Sequence, residues 1–165
     1  MSTGPQDRHL DDGYADRNSV ETTLTASRAL LGVVARSMST ALDAVTMPQF
    51  RILIVLTSSG PMRMGLLAER MHAVPSTFSR SMDRMVTGGW VERIESPDSR
   101  REVIIRLSSL GRALVDEVTE RRRKEIAAVL GRMTHEERAQ LQSALASFSE
   151  AAGEASAEEL LVLGL

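Results

Sequence analysis

Side chains that can contact a nucleic acid are concentrated in residues 75–87. This segment contains Ser76, Thr77, Ser79, Arg80 and Arg84. An arginine presents paired N–H donors that match O6 and N7 of guanine, whereas short hydroxyl side chains suit phosphate oxygens. A solvated helix face is the alternative explanation for so many polar residues. The segment is therefore a candidate for contacting double-stranded DNA.

Two further arginines, Arg100 and Arg101, lie at a polar tip between two strand-like segments, residues 90–94 and 102–107. The alternation of side chains in the second segment gives the predicted hairpin one apolar face. An arginine at a hairpin tip can enter the narrow minor groove of DNA, where the negative potential is deepest. A solubilising turn is the alternative, because charged hairpin tips are common.

Residue combinations that would indicate catalysis or metal binding are missing from the sequence. The chain has no cysteine, which excludes disulfides, thiol chemistry and cysteine zinc sites. Its histidines, His9, His72 and His135, have no carboxylate or second histidine at metal-binding spacing. There is also no glycine-rich phosphate loop and no nucleophile motif. We therefore predict a protein that is not an enzyme and that has no metal and no cofactor.

The charge distribution favours a local DNA-binding surface. The 165 residues have a net charge of −2. Residues 63–106 contain eight basic and six acidic side chains, a balance of +2, whereas residues 1–21 carry −3 and residues 134–165 carry −5. Acidic ends and a mildly basic centre would keep the termini away from phosphate.

The sequence does not indicate a membrane partner. The longest apolar run, residues 52–56, is far too short to span a bilayer, and the polar, acidic N-terminus does not resemble a secretory signal. We therefore expect a cytoplasmic protein.

Hydrophobic spacing predicts a mainly α-helical chain with a small β-hairpin. Helices are expected at about residues 20–42, 47–58, 64–71, 75–87, 108–130 and 134–152. Ser108 is a predicted N-cap, and Thr134 with Glu137 forms a predicted capping box. The order helix, turn, helix and two-stranded wing is that of a winged helix-turn-helix, which places its second helix in the DNA major groove.

The same spacing predicts which side chains of the two central helices point inward. The expected inward residues are Leu66, Leu67 and Met71 in the first, and Phe78, Met82 and Met85 in the second. Ser76, Arg80 and Asp83 then lie on the opposite face of the second helix. That face would be free to meet DNA.

The long helices at the two ends predict a homodimer. Their apolar stripes cannot all be buried on so small a core, and pairing with a second copy would cover them. A two-fold dimer would also present two DNA-binding regions to a palindromic site. The predicted organisation is an acidic disordered tail at 1–18, a helical dimerisation region at 19–46 and 108–152, a winged helix-turn-helix at 47–107 and a C-terminal tail at 153–165.

Methionine-rich apolar residues between the first two helices could line a malleable cavity. The candidates for lining such a cavity are Met38, Leu42, Met47 and Phe50. A filled hydrophobic core is the alternative explanation for these residues.

The stretch from Leu66 to Gly111, LLAERMHAVPSTFSRSMDRMVTGGWVERIESPDSRREVIIRLSSLG, resembles the MarR family of bacterial regulators. Within it, VPSTFSRSMDRM is similar to the family recognition helix, GGWVER to the step into the wing, and RREVIIRLSSLG to the second wing strand and the next helix. The order and spacing of these pieces, with long helices before and after, extend the resemblance over about residues 20–150.

The resemblance implies a homodimer that binds a pseudo-palindromic promoter site, usually as a repressor. It also implies release from DNA when a small aromatic or phenolic compound binds between the dimerisation and DNA-binding parts. The candidates for binding such an effector are Met38, Leu42, Met47 and Phe50. The conserved wing arginine of the family falls on Arg101, and Ser99 replaces the aspartate that usually stands two residues before it. The alternative function is a winged-helix module that binds proteins and has no DNA target.

Overall fold

The computed structural model describes residues 16–95 and 102–153 and is mainly helical. Its elements are α1 (Arg17–Ala44), α2 (Met47–Ser59), β1 (Met62–Arg63), α3 (Met64–Arg70), α4 (Pro75–Thr87), β2 (Val91–Glu95), β3 (Val103–Leu107), α5 (Ser109–Leu130) and α6 (His135–Ala152). This order confirms the predicted winged helix-turn-helix. Residues 1–15, 96–101 and 154–165 lie outside the described residues, and so do most of both predicted tails and the wing-tip residues Arg100 and Arg101.

The small sheet has three strands, one more than the sequence predicted. β3 is the central strand and pairs antiparallel with β1 on one side and β2 on the other. Met62 of β1 lies opposite Ile105, and Val91 of β2 lies opposite Leu107. The prediction missed β1 because a two-residue strand has no periodicity to detect and exists only through pairing with a distant partner.

Helix α1 begins at Arg17, earlier than predicted, so Arg17 and Asn18 are helical and do not belong to a disordered tail. The cause is a cap at Asp16, whose carboxylate accepts hydrogen bonds from the Ser19 backbone N–H at 3.0 Å and from the Ser19 hydroxyl at 2.6 Å. The hydroxyl and then the backbone hydrogen bond lower the pKa of Asp16 below its usual value.

Contacts divide the described residues into two units, one that ends at Gly32 and one that begins at Val33. The part of α1 that belongs to the first unit leaves Val20, Leu24 and Leu31 exposed. The apolar stripe predicted for this helix is therefore not covered by the described residues. Within the described residues no single helix is long and apolar enough to cross a membrane. Only α1 and α2 taken together, across a bend of 104°, reach the required length and composition.

The second unit contains the hydrophobic core. Helix α2 supplies more of it than any other helix, through Phe50, Ile52, Leu53, Val55 and Leu56. Phe78, Met82 and Met85 of α4 are buried as predicted. The prediction for Leu66 is wrong, because this side chain is 44% exposed while its neighbour Leu67 is fully buried. Successive residues of a helix point about 100° apart, and only one side of the short helix α3 packs on the core.

Local capping sets the starts of the two C-terminal helices, as predicted. The Ser108 hydroxyl accepts a hydrogen bond from the Gly111 N–H at 3.0 Å. The capping box of α6 is complete, since Thr134 accepts from the Glu137 N–H and the Glu137 carboxylate accepts from the Thr134 N–H.

Candidate nucleic-acid interface

Helix α4 separates its polar and apolar side chains onto two faces. Ser76, Thr77, Arg80 and Arg84 are exposed, Ser79 is partly exposed, and the side chains buried on the other face hold the helix on the core. The structure therefore places all five residues predicted on this helix where an external partner can reach them.

A tight turn connects α3 to α4. His72 adopts a left-handed backbone conformation with φ of 48°, and the Ala73 N–H donates to the Ala68 carbonyl at 3.0 Å. Pro75 at the first helical turn supplies the helical φ angle without leaving a backbone N–H unpaired. The turn itself was predicted, but the left-handed conformation of His72 was not.

Ion pairs connect the wing strands to their surroundings. Arg93 of β2 binds Asp83 of α4 at 2.7 Å, and Arg63 of β1 binds Glu102, just before β3, at 3.0 Å. Arg106 pairs with Glu92 across the two wing strands. Of these three pairs only Arg93–Asp83 joins the wing to α4, and exposed pairs of this kind contribute little to stability.

The end of α4 is joined closely to the start of α5. The Trp90 N–H donates to the Met85 carbonyl at 2.9 Å, and the Ser108 hydroxyl donates to the Gly89 carbonyl at 2.6 Å. A side chain at Gly111 would overlap the Trp90 carbonyl oxygen, so only glycine permits this approach. The long helix α5 is thereby fixed relative to α4.

A basic cavity of about 500 Å³ lies between α2 and α4. Arg51, Arg80, Arg84 and His72 line it, and its lining includes no carboxylate. The Arg51 Nε atom is buried and has no hydrogen-bond partner among the described residues. An arginine in this setting suits a phosphate oxygen. Sequence reasoning missed Arg51, although a single arginine within an otherwise apolar helix was an available signal.

The four predicted effector residues do not share one environment. Met38 and Phe50 are buried in the core, whereas Leu42 and Met47 are exposed near the junction of α1 and α2. Among the described residues, no group of three or more histidine, aspartate or glutamate side chains could hold a metal ion.

Comparison with known proteins identifies relatives across most of the chain. A model of the MarR family matches residues 45–103. The uncharacterized HTH-type transcriptional regulator YsmB of Bacillus subtilis (strain 168) is 34% identical over 102 residues, which cover 62% of this chain and 70% of that protein. The crystal structure of RV1404 from Mycobacterium tuberculosis is 38% identical, with a TM-score of 0.73, and the match covers 86% of this chain and 97% of that one. A mutant of S. aureus MepR bound to an oligodeoxyribonucleotide has the same fold, with a TM-score of 0.67 at 16% identity, over 84% of this chain and 100% of that one.

Proposed function

The chain belongs to the MarR family of DNA-binding transcriptional regulators, and from this premise we propose that it is a homodimeric repressor of a pseudo-palindromic promoter site, released by a small aromatic ligand. The observation that supports the proposal is the polar face of α4. This face is exposed beside the wing, which the Arg93–Asp83 ion pair joins to α4. Membership makes the protein a regulator and not an enzyme. The homodimer, the direction of regulation, the form of the DNA site and the ligand are proposed.

The proposed contacts divide by chemistry. Arg80 reads guanine in the major groove, because its fork of donors matches O6 and N7. Ser76, Thr77 and Ser79 donate to phosphate oxygens near the start of α4. Arg84 and Arg51, which line the basic cavity, neutralise the charge of a DNA phosphate. Arg100 and Arg101, proposed from the sequence alone, place charge in the minor groove.

The proposed dimer uses the apolar side chains that the single chain leaves uncovered. They are exposed on all three long helices and include Leu24 and Leu31 on α1, Ile126 and Val129 on α5, and Leu145 and Phe148 on α6. Covering this surface with a second copy buries it and sets two α4 helices in a two-fold arrangement. Residues 19–46 and 108–152 are therefore proposed as the dimerisation region, and residues 47–107 as the reader.

The proposed effector site lies at the junction of α1 and α2, with Met38, Leu42, Met47 and Phe50. Leu42 and Met47 are accessible to a ligand, and a ligand that displaced Met38 or Phe50 would disturb the core beneath the reader. Such a ligand releases DNA only if it binds one arrangement of the dimer better than the other. Titration of salicylate-like aromatics against the DNA complex tests the site, and a response unchanged in Met47→Ala and Phe50→Ala rejects it.

The DNA-binding proposal is tested with sites selected from a random duplex library, using Arg80→Ala. The variant should lose about 1–3 kcal/mol on the selected site and accept other bases at one position in each half-site. Arg132→Ala removes the same charge from an exposed position outside the reader and serves as the control.

Two results would count against the proposal. Equal losses by Arg80→Ala on selected and random DNA would remove Arg80 from base reading. Failure of the wild-type protein to bind any duplex in a salt-dependent way would favour a protein-binding winged helix instead.

A further inference from the structure

Val74, the residue before α4, has the most exposed large apolar side chain among the described residues. It is 66% exposed, although in the helix that follows Phe78, Met82 and Met85 are buried and Val86 is partly buried. Burial of apolar surface is the main source of folding stability, so this side chain contributes little to the fold of the single chain.

Val74 also occupies a position where another residue type would stabilise the helix. It is the N-cap of α4 and makes no side-chain hydrogen bond to the first turn. The N-caps of α5 and α6, Ser108 and Thr134, accept backbone N–H groups as a cap normally does. A hydrocarbon side chain cannot accept a hydrogen bond, so α4 lacks a contribution that α5 and α6 have; the short helix α3, which follows Arg63, lacks it too.

Backbone preference does not explain the choice of valine. Val74 is extended, with φ of −65° and ψ of 126°, as expected for a β-branched residue before proline. Threonine has the same shape and backbone preference and would add the missing cap. The methyl groups of valine therefore point to an apolar contact outside the chain.

We infer that Val74 contacts the C5-methyl group of a thymine in the major groove, once in each half-site. This inference rests on the proposed DNA-reading function. The first residues of a recognition helix meet base edges, and the thymine methyl is the one apolar group that the major groove presents. Ser76, Thr77 and Arg80, which follow on α4, are polar and supply hydrogen bonds, so Val74 adds the apolar component of recognition.

The test uses uracil, which pairs as thymine does but lacks the methyl group. Selected duplex sites are resynthesised with each thymine replaced in turn by uracil, and affinity is measured by fluorescence anisotropy. For the wild-type protein, replacing the contacted thymine in one half-site should weaken binding roughly fourfold, and replacing it in both half-sites roughly fifteenfold, because one buried methyl group contributes about 0.8 kcal/mol.

The variant Val74→Ser removes both methyl groups and supplies a cap. It should bind thymine and uracil sites equally while melting a few degrees higher than the wild-type protein. Leu66→Ser, which changes an exposed apolar residue of α3, should retain the wild-type preference for thymine.

Three results would overturn the inference while leaving the DNA-reading function in place. They are full thymine preference in Val74→Ser, wild-type indifference to every uracil replacement, and a melting temperature lowered by the serine, which would give valine a purely structural reason. If the wild-type protein bound no duplex in a salt-dependent way, both the inference and the proposed DNA-binding function would be rejected.

Discussion

Helices α4 and α6 are both amphipathic, but they differ in the burial of their apolar faces and in the capping of their N-termini. The apolar face of α4 is buried through Phe78, Met82 and Met85, while the residue before it, Val74, provides no side-chain cap. Helix α6 begins with a complete capping box, yet none of its side chains is buried, and Phe148 is 56% exposed.

The difference shows how each helix is stabilised and which surface it leaves free. Tertiary packing holds α4, so its start and its polar face remain available for DNA. Local hydrogen bonds define the start of α6, and its apolar side remains available for the proposed second copy. An isolated helix of this length is marginal in water, which makes the uncovered stripe of α6 costly without a partner.

The largest expected effect comes from the same substitution made in the two helices. Phe78→Ala should lower the free energy of unfolding by about 3–5 kcal/mol, because it opens a cavity in the core. Phe148→Ala should leave the fold of the single chain nearly unchanged and weaken only the dimer. Chemical denaturation at several protein concentrations separates the two effects.

Only the loss in Phe148→Ala should vary with protein concentration, since only a dimer contact is coupled to association. A concentration-independent loss in Phe148→Ala, as large as that in Phe78→Ala, would place Phe148 in an intrachain core and remove the contrast between the helices.

A charge placed on the apolar side of α6 should affect DNA binding indirectly. Leu145→Glu is expected to dissociate the dimer and to reduce affinity for a two-half-site duplex by about 100-fold, because each reader then binds alone. Light scattering reports the mass, and anisotropy reports the affinity. Ser143→Glu adds the same charge on the opposite side of α6 and should change neither; a dimeric Leu145→Glu protein would exclude α6 from the interface.

The smallest expected effect concerns the capping box of α6 and is visible in its pH dependence. The backbone N–H and then the hydroxyl of Thr134 donate to the Glu137 carboxylate and lower the pKa of Glu137 below its usual value of 4.5. The stabilisation is therefore complete above about pH 5 and is lost as the pH falls through the lower pKa of the folded state.

Thermal unfolding between pH 7 and pH 3 measures this contribution. Glu137→Gln can keep the box geometry but carries no charge, so it should lose part of the acid sensitivity of the wild-type protein. Glu136→Gln removes the same charge from the same turn and should retain that sensitivity. An unchanged pH profile in Glu137→Gln would show that the carboxylate does not stabilise the cap.

Features that depend on residues close together in the chain were predictable from the sequence. The bounds of α4, from Pro75 to Thr87, agree with the prediction, and so do the caps at Ser108 and Thr134. Helix starts depend on proline, short polar side chains and hydrophobic spacing within a few residues, all of which the sequence displays. The same spacing identified the exposed polar face of α4.

Features that depend on partners distant in the chain were decided by the tertiary structure. Strand β1 exists only beside β3, Leu66 is exposed because α3 presents Leu67 to the core, and Arg51 lines a cavity together with side chains of α4. Periodicity states that a helix has an apolar side, but it does not state what that side meets. For α4 the answer is the core of its own chain, and the uncovered stripe of α6 exists because no described part of the chain packs against it.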